Sequence, residues 1–236
     1  MPFNSHPSVT ALPLFDGHHC YVVDDALRDP HGWVDRAAAH RDQFETTGHN
    51  AFPGPELRMP DALSSQLDDF FRLHIRQRLG ARRTLRMYSR LAMVSAAAAT
   101  LQPRQWICHR DRFEVPADQC VAASVLYLFR DASLGGTSFF RPRRAAAEID
   151  RLVHDSGQMD GAQFVERYGI QPGYMTASNA WFEKVASVEA RWNRLIFYDG
   201  SLFHCADITQ TDKLDTDPRR GRLTLNGFFT CSRALR

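Results

Sequence analysis

The 236-residue sequence contains no stretch approaching the roughly 18 apolar residues of a membrane span. Its first segment, Met1 to Thr10, has no early positive cluster followed by an apolar run, so no export signal is expected. Cysteine is sparse: Cys20, Cys108, Cys120, Cys205 and Cys231 are odd in number and scattered, and no pair has the spacing of a zinc knuckle. A disulfide framework is therefore not expected, and the thiols read as reduced residues of a cytoplasmic protein. Net charge is small as well, formally +2, which gives no electrostatic reason to expect a nucleic acid or a membrane surface as partner. Short basic clusters at Arg82-Arg83, Arg141 to Arg144 and Arg219-Arg220 read as solvated surface. Internal repeats and disordered tails are absent from the pattern, although 212–220 reads as a mobile loop.

What is present is an ordinary globular composition, 44% apolar and 24% charged, long enough for a single domain with a sizeable core. Residues 1–83 read as an N-terminal helical cover. Asp24-Asp25 is placed to cap a helix over 26–41, with Pro30 near its first turn and Trp33, Val34 and Ala37 at helical spacing. A loop with Gly48, Pro53, Gly54, Pro55 and Pro60 follows. After Asp61, residues Leu63, Leu67, Phe70, Phe71, His74, Ile75 and Leu79 share one helical side, and Gly80 is placed to stop that helix. From Thr84 the period changes to short strands at 84–94, 105–109, 121–129, 137–140, 194–198, 202–208 and 222–230. Strands of this length between turns predict a mainly β core with flanking helices, a barrel or jelly roll over 84–140 and 193–232. A more polar insert, 141–192, interrupts it and is read as partly helical, with helices at 162–168 and 178–191. Its position suits either a lid that helps to choose a substrate or an outer buttress.

The chemistry concentrates in Cys108-His109-Arg110-Asp111, His204 and Arg222. His109 and Asp111 are two apart and would share one face of a strand. With His204 from a distant strand they make two imidazoles and one carboxylate, a set that suits iron(II) with positions left open for other ligands. Arg222 offers a planar fork for the far carboxylate of a dicarboxylic co-substrate. A His-x-Asp tripeptide alone is weak, since a solvated strand end explains it equally well. Its weight comes from alternation, which sets Ile107, His109 and Asp111 on one face, Val125, Tyr127 and Phe129 on another, and Arg222, Thr224, Asn226 and Phe228 on a third. Polar residues at inward positions are costly unless they have a buried task. Cys108 and Cys205 flank the histidines but point away and read as packing. His40, His74 and His154 read as surface or packing, and Asp199-Gly200 as a turn. Arg130 and Arg141, near the expected mouth, suit either an acidic substrate group or solvent.

These residues fall into blocks that resemble the iron(II)/2-oxoglutarate-dependent dioxygenases, in particular the prolyl-hydroxylase-like branch. The blocks are His109-Arg-Asp111, Val125-Leu-Tyr-Leu-Phe129, Gly135-Gly-Thr-Ser-Phe139, Asn193-Arg-Leu-Ile-Phe-Tyr198, His204 and Arg222-Leu-Thr224, in that order over 84–231. The stretch is also similar to an uncharacterised bacterial group of this type. The resemblance implies a double-stranded β-helix with His109, Asp111 and His204 as iron ligands and catalytic centre. It implies that Arg222 and Thr224 bind 2-oxoglutarate, and that Tyr127 reaches the same carboxylate or else is an ordinary core tyrosine. It further implies iron(II), 2-oxoglutarate and O2, with ascorbate as an auxiliary reductant. The implied reaction is hydroxylation of an amino acid, a peptide or a small metabolite, with release of succinate and CO2. Desaturation or demethylation are variants on the same fold. A carboxylate at Asp111 argues against halogenation, which needs a small residue there. The rival reading is a cupin-like metal-binding or sensing module without turnover, against which Arg222 speaks, because a bare metal site needs no buried guanidinium.

Overall fold

A computed structural model describes residues 2–46, 51–111 and 116–233, so Gly48 of the expected loop lies outside the described residues. The elements in chain order are β1 (Thr10–Pro13), β2 (His19–Val23), α1 (Pro30–Ala39), β3 (Glu56–Arg58), α2 (Asp61–His74) and β4 (Ala81–Val94). They continue as β5 (Gln119–Tyr127), β6 (Thr137–Pro142), α3 (Ala146–Ser156), α4 (Gly161–Tyr168), β7 (Phe182–Val188), β8 (Leu195–Asp199), β9 (Phe203–Ala206) and β10 (Arg222–Arg233). The strands form two antiparallel sheets, a seven-stranded one in the order β1-β2-β8-β5-β10-β4-β3 and a three-stranded one in the order β7-β6-β9. A single bridge between His109 and His204 adds the chain before β5 to the outer edge of the smaller sheet. From β4 onward the chain therefore alternates between sheets: β4 in the large one, His109 in the small one, β5 large, β6 and β7 small, β8 large, β9 small, β10 large. That winding is a double-stranded β-helix, as the motif blocks implied.

Strand alternation divides β10 between two tasks. Leu223, Leu225, Phe229 and Cys231 face outward into a buried cluster with Trp33, Val34 and Ala37 of α1 and Leu67, Phe70 and Phe71 of α2. Phe71 stacks on Phe229 at 4.2 Å between ring centroids, and Phe70 lies 6.0 Å from Phe197 of β8. The two amphipathic helices thus exist to cover the large sheet, leaving its other face to line the space between the sheets.

Several sequence expectations change in detail. The N-terminal cover is not helical alone, because β1 and β2 extend the large sheet past β8 and β3 pairs with β4. The cap of α1 is Asp29, whose carboxylate accepts from Gly32 N at 2.9 Å. Asp24 instead pairs with Arg194, at 2.6 and 3.0 Å. Gly80 closes the segment as expected, in the left-handed region at φ 68, after a short 3-10 turn. The 178–191 helix is replaced by β7: Asn179 turns the chain by accepting from the N–H groups of Trp181 and Phe182, and pairing with β6 then overrides a three-residue apolar spacing. The 105–109 strand is reduced to the bridge at His109, because Pro103 to Gln105 form a 3-10 turn.

Phe229 is fully buried among aromatic neighbours. Truncating Phe229→Ala should destabilise the fold by about 3–5 kcal/mol through lost contacts and a residual cavity, read as a lowered urea midpoint with an unchanged slope. A shift worth well under ~1 kcal/mol would show that this face is not the core.

Candidate metal centre and carboxylate site

Two chain segments, the stretch before β5 and strand β9, deliver the three candidate ligands to one point. His109 and His204 exchange both backbone hydrogen bonds, at 2.9 and 2.8 Å, so their side chains rise from adjacent positions of one ladder. Asp111 is fixed two residues on by its own N–H, which donates to Gly200 O at 2.8 Å. The close approach explains Gly200, where an added Cβ would stand 2.9 Å from Val121 and 3.4 Å from Asp111 Cβ. As a result one ligand atom from each of His109, Asp111 and His204 lies within 4.8 Å of the others. His204 Nε2 is 3.4 Å from Asp111 Oδ2, and His109 Nε2 is 3.9 Å from Asp111 Oδ1.

The surroundings prepare these groups for a cation. His204 Nδ1 stands 2.9 Å from Leu202 O. A carbonyl only accepts, so Nδ1 carries the proton and Nε2 turns a lone pair toward Asp111. Tyr198 packs edge-on against the His204 ring at 4.7 Å and fixes its plane. Burial, then the neighbouring His204 and Arg90 charges, hold His109 well below the usual imidazole value, which keeps it neutral. Burial raises the Asp111 carboxyl above the usual carboxylate range against the opposing pull of His204 and Arg90. Asp111 Oδ2 is buried and has no hydrogen-bond partner among the described residues. A buried carboxylate oxygen facing two imidazoles fits a divalent cation.

Arg222 lies at the other end of the same space. It is 3% exposed, and its Nε and Nη2 donate to Gly135 O and Gly136 O at 3.0 and 2.9 Å. No ion pair reaches it among the described residues. Burial without a partner anion pulls its guanidinium below the ordinary value. The Gly135-Gly136 pair of the sequence is explained here. A Cβ at Gly135 would stand 2.1 Å from Asp207 O and one at Gly136 1.9 Å from Val188 O, so only glycine lets this backbone pass and turn its carbonyls to Arg222.

One cavity of about 530 Å³ is lined by His109, Asp111, His204, Arg222, Thr224 and Asn226 together, a size usual for small-ligand sites. Tyr127 is not on its wall. Its hydroxyl bonds to Thr137 Oγ1 at 2.8 Å, and Thr137, which faces the cavity, stands between them. Thr224 does face the cavity, with only a long 3.4 Å contact to Ala92 O. Sequence reading passed over Thr137, Tyr174, Tyr198 and Arg90. Thr137 was within reach, since it alternates with Phe139 inside the Gly-Gly block. Cys108 lies off the cavity wall, its N 3.3 Å from Met175 Sδ, whereas Cys205, expected to point away as well, lines the cavity with Met175, its Sγ 3.2 Å from the Met175 carbonyl. Burial pushes the Cys205 thiol up to about 12 and Cys108 well above its usual range, so neither is a thiolate at neutral pH. Arg130 stacks on Trp192 at 4.5 Å, and Arg141 pairs with Asp16.

The insert reaches the cavity through Val153, Tyr174 and Met175, while Ile149, Leu152 and Phe164 pack it onto Trp106, Cys108 and Phe203.

Residues 5–229 match the family described as "Family of unknown function (DUF6445)". The chain belongs to this family. No curated protein matches this DUF6445 member. Among solved structures it is similar to a Pseudomonas putida prolyl-4-hydroxylase, at 15% identity and TM-score 0.48 over 92% of this chain and 94% of that one. It is similar to HygX from Streptomyces hygroscopicus with nickel and 2-oxoglutarate bound, at 11% identity and TM-score 0.47 over 92% and 84%. It is also similar to SnoN, a non-heme alpha-ketoglutarate-dependent epimerase from nogalamycin biosynthesis, at 12% identity and TM-score 0.46 over 91% and 80%. The functional reading of the DUF6445 chain rests on its own site. No described helix is long and apolar enough to cross a membrane.

The raised Asp111 carboxyl gives a test of the cation-free site. Its folded-state value lies above the unfolded one, so ionising it costs stability as pH rises through that window, and the cost vanishes once pH falls low enough to protonate it. Asp111→Asn should therefore stabilise the chelator-treated protein at alkaline pH, and the gain should shrink toward acid. Thermal melts at both pH values check this; a destabilised variant at alkaline pH would mean that Asp111 is already compensated.

Proposed function

We propose that this chain is an iron(II)- and 2-oxoglutarate-dependent oxygenase that hydroxylates a small molecule or a peptide and releases succinate and CO2. The observation that carries the reading is Arg222: a buried guanidinium with no partner anion, in the same cavity as two imidazoles and an orphaned carboxylate oxygen. A metal-binding or sensing module needs only the second half of that arrangement. The first half calls for an anion that arrives from outside, and a dicarboxylate between Arg222 and the cation would satisfy both.

In this reading His109, Asp111 and His204 hold iron(II), which supplies activation of O2 coupled to oxidative decarboxylation of the co-substrate. Leu202 O keeps the His204 proton on Nδ1, so Nε2 stays a ligand. Arg222, fixed by the Gly135 and Gly136 carbonyls, orients the far carboxylate of 2-oxoglutarate through its remaining N–H groups. Thr224 adds a hydroxyl from the next inward position of β10. Thr137 adds another, and Tyr127 acts behind it by holding that hydroxyl in place. The apolar packing of Cys108, Phe203 and Met175 behind the centre excludes water from the reacting groups.

Two measurements test the reading. One divalent ion per chain should raise the melting temperature of the wild type, and Asp111→Ala should abolish that shift. In calorimetry with zinc in place of iron, Arg222→Ala should weaken 2-oxoglutarate by about 2–5 kcal/mol, and Arg222→Lys should recover only part of it. Equal 2-oxoglutarate affinity in wild type and Arg222→Ala would sink the assignment. Metal binding without succinate formation from 2-oxoglutarate, iron(II) and O2 would favour the sensing module.

A further inference from the structure

We propose that Asn226 and Arg90 form a substrate subsite for a neutral amide group, a unit with one C=O and one N–H, beside the candidate reacting centre. The proposal rests on the oxygenase reading and names the chemical class of group by which that enzyme would hold its substrate.

The observation is a pair of buried atoms with nothing to bind. Asn226 is 8% exposed, and its Oδ1 has no hydrogen-bond partner among the described residues. Directly opposite it in the β10–β4 register stands Arg90, whose Nε is also buried and without a partner among them. Both residues line the cavity that holds the triad. They occupy the same inward row as Arg222 and Thr224. At ~3.4 Å per residue, Asn226 lies about 13 Å along the strand from Arg222, away from the end that a co-substrate carboxylate would take. A buried donor or acceptor left unpaired is costly, and here one of each stands side by side on a rigid sheet.

Charge decides what they receive. Arg90 already meets Glu56, with Nη1 2.7 Å from Oε2, and Arg110 meets Asp150 at 2.5 Å. Neither cation calls for an anion. A substrate carboxylate has no N–H to donate and would leave Asn226 Oδ1 unpaired. An ammonium group would face the Arg90 guanidinium. A neutral amide meets both orphans at once: Arg90 Nε donates to its carbonyl, and its N–H donates to Asn226 Oδ1. Phe228, the next inward residue of β10, stacks on Tyr88 at 4.9 Å and 18° and lies under the Arg90 guanidinium at 4.5 Å. This holds the plane of the guanidinium and leaves an apolar rim for the rest of the substrate.

The test uses three matched probes, phenylacetamide, phenylacetate and phenethylammonium, titrated by ligand-observed NMR. The protein is loaded with zinc and 2-oxoglutarate so that no turnover occurs, and the series is repeated without metal. Phenylacetamide should bind at least about tenfold more tightly than either charged probe, and Asn226→Ala should weaken it by about tenfold. Arg90→Lys, which keeps a cation beside Glu56 but lacks Nε–H, should weaken it to a similar extent. Asn226→Asp, of the same shape but acidic, should turn the preference toward phenethylammonium. No binding of phenylacetamide, tighter binding of phenylacetate, or unchanged amide affinity in Asn226→Ala would each overturn the subsite. Zinc and 2-oxoglutarate titrations on the same samples report separately on the oxygenase reading. Their failure beside intact amide selectivity would sink that reading and leave the subsite standing.

Discussion

The site depends on one backbone contact, the pair of hydrogen bonds between His109 and His204. It joins a segment that is otherwise irregular to the edge of the smaller sheet. With the bond from Asp111 N–H to Gly200 O, it fixes the carboxylate relative to both imidazoles. Because the contact is a ladder rung, side-chain direction follows from parity: the histidines rise toward the cavity, and Cys108 falls on the other side into apolar packing. The same parity in β10 sends Arg222, Thr224, Asn226 and Phe228 inward and Leu223, Leu225 and Phe229 outward. One strand thus carries a run of polar cavity residues and half of an aromatic core.

Polar groups in such a row oppose folding. Arg222 is buried without an anion, Asp111 keeps an orphaned oxygen, and Asn226 has an unused acceptor. The outer face offsets this cost. Phe70, Phe71, Phe197 and Phe229 form a stacked cluster under α1 and α2, which bury aromatic surface far from any polar demand. The N-terminal cover therefore has a physical task beyond packing: it supplies stability that offsets an unsatisfied inner face.

Much of this was legible in the sequence because parity is local. The inward assignments of His109, Asp111, Arg222, Thr224 and Asn226 need only alternation, and the structure brings all five to one cavity. The double-stranded β-helix followed from the motif blocks. What was not legible depended on long-range pairing. The 178–191 segment has apolar residues three apart, and only the edge of β6 makes it a strand. The strands β1 and β2 are short and partly exposed, and nothing local marks them as additions to β8. Tyr127 sits on the expected strand, but its hydroxyl is taken by Thr137, and no pattern within 121–129 reveals a partner on another strand.

The two sheets also divide the work of the cavity. The Gly135-Gly136 turn, Thr137 and the first inward residues of β10 make an end that is closed, buried and positively charged. Its parts are backbone carbonyls and short hydroxyls, which leave little freedom to accept a different anion. The far end is built from long side chains, Arg90, Tyr88 and Phe228, and from the insert through Val153, Tyr174 and Met175. Substitutions there change shape and hydrogen-bonding pattern without disturbing the ladder rung at His109 or the grip on Arg222. A fold arranged this way can hold the triad constant while the far wall is altered, so the shape of the cavity is set by the residues opposite and beyond Asn226 and not by the triad.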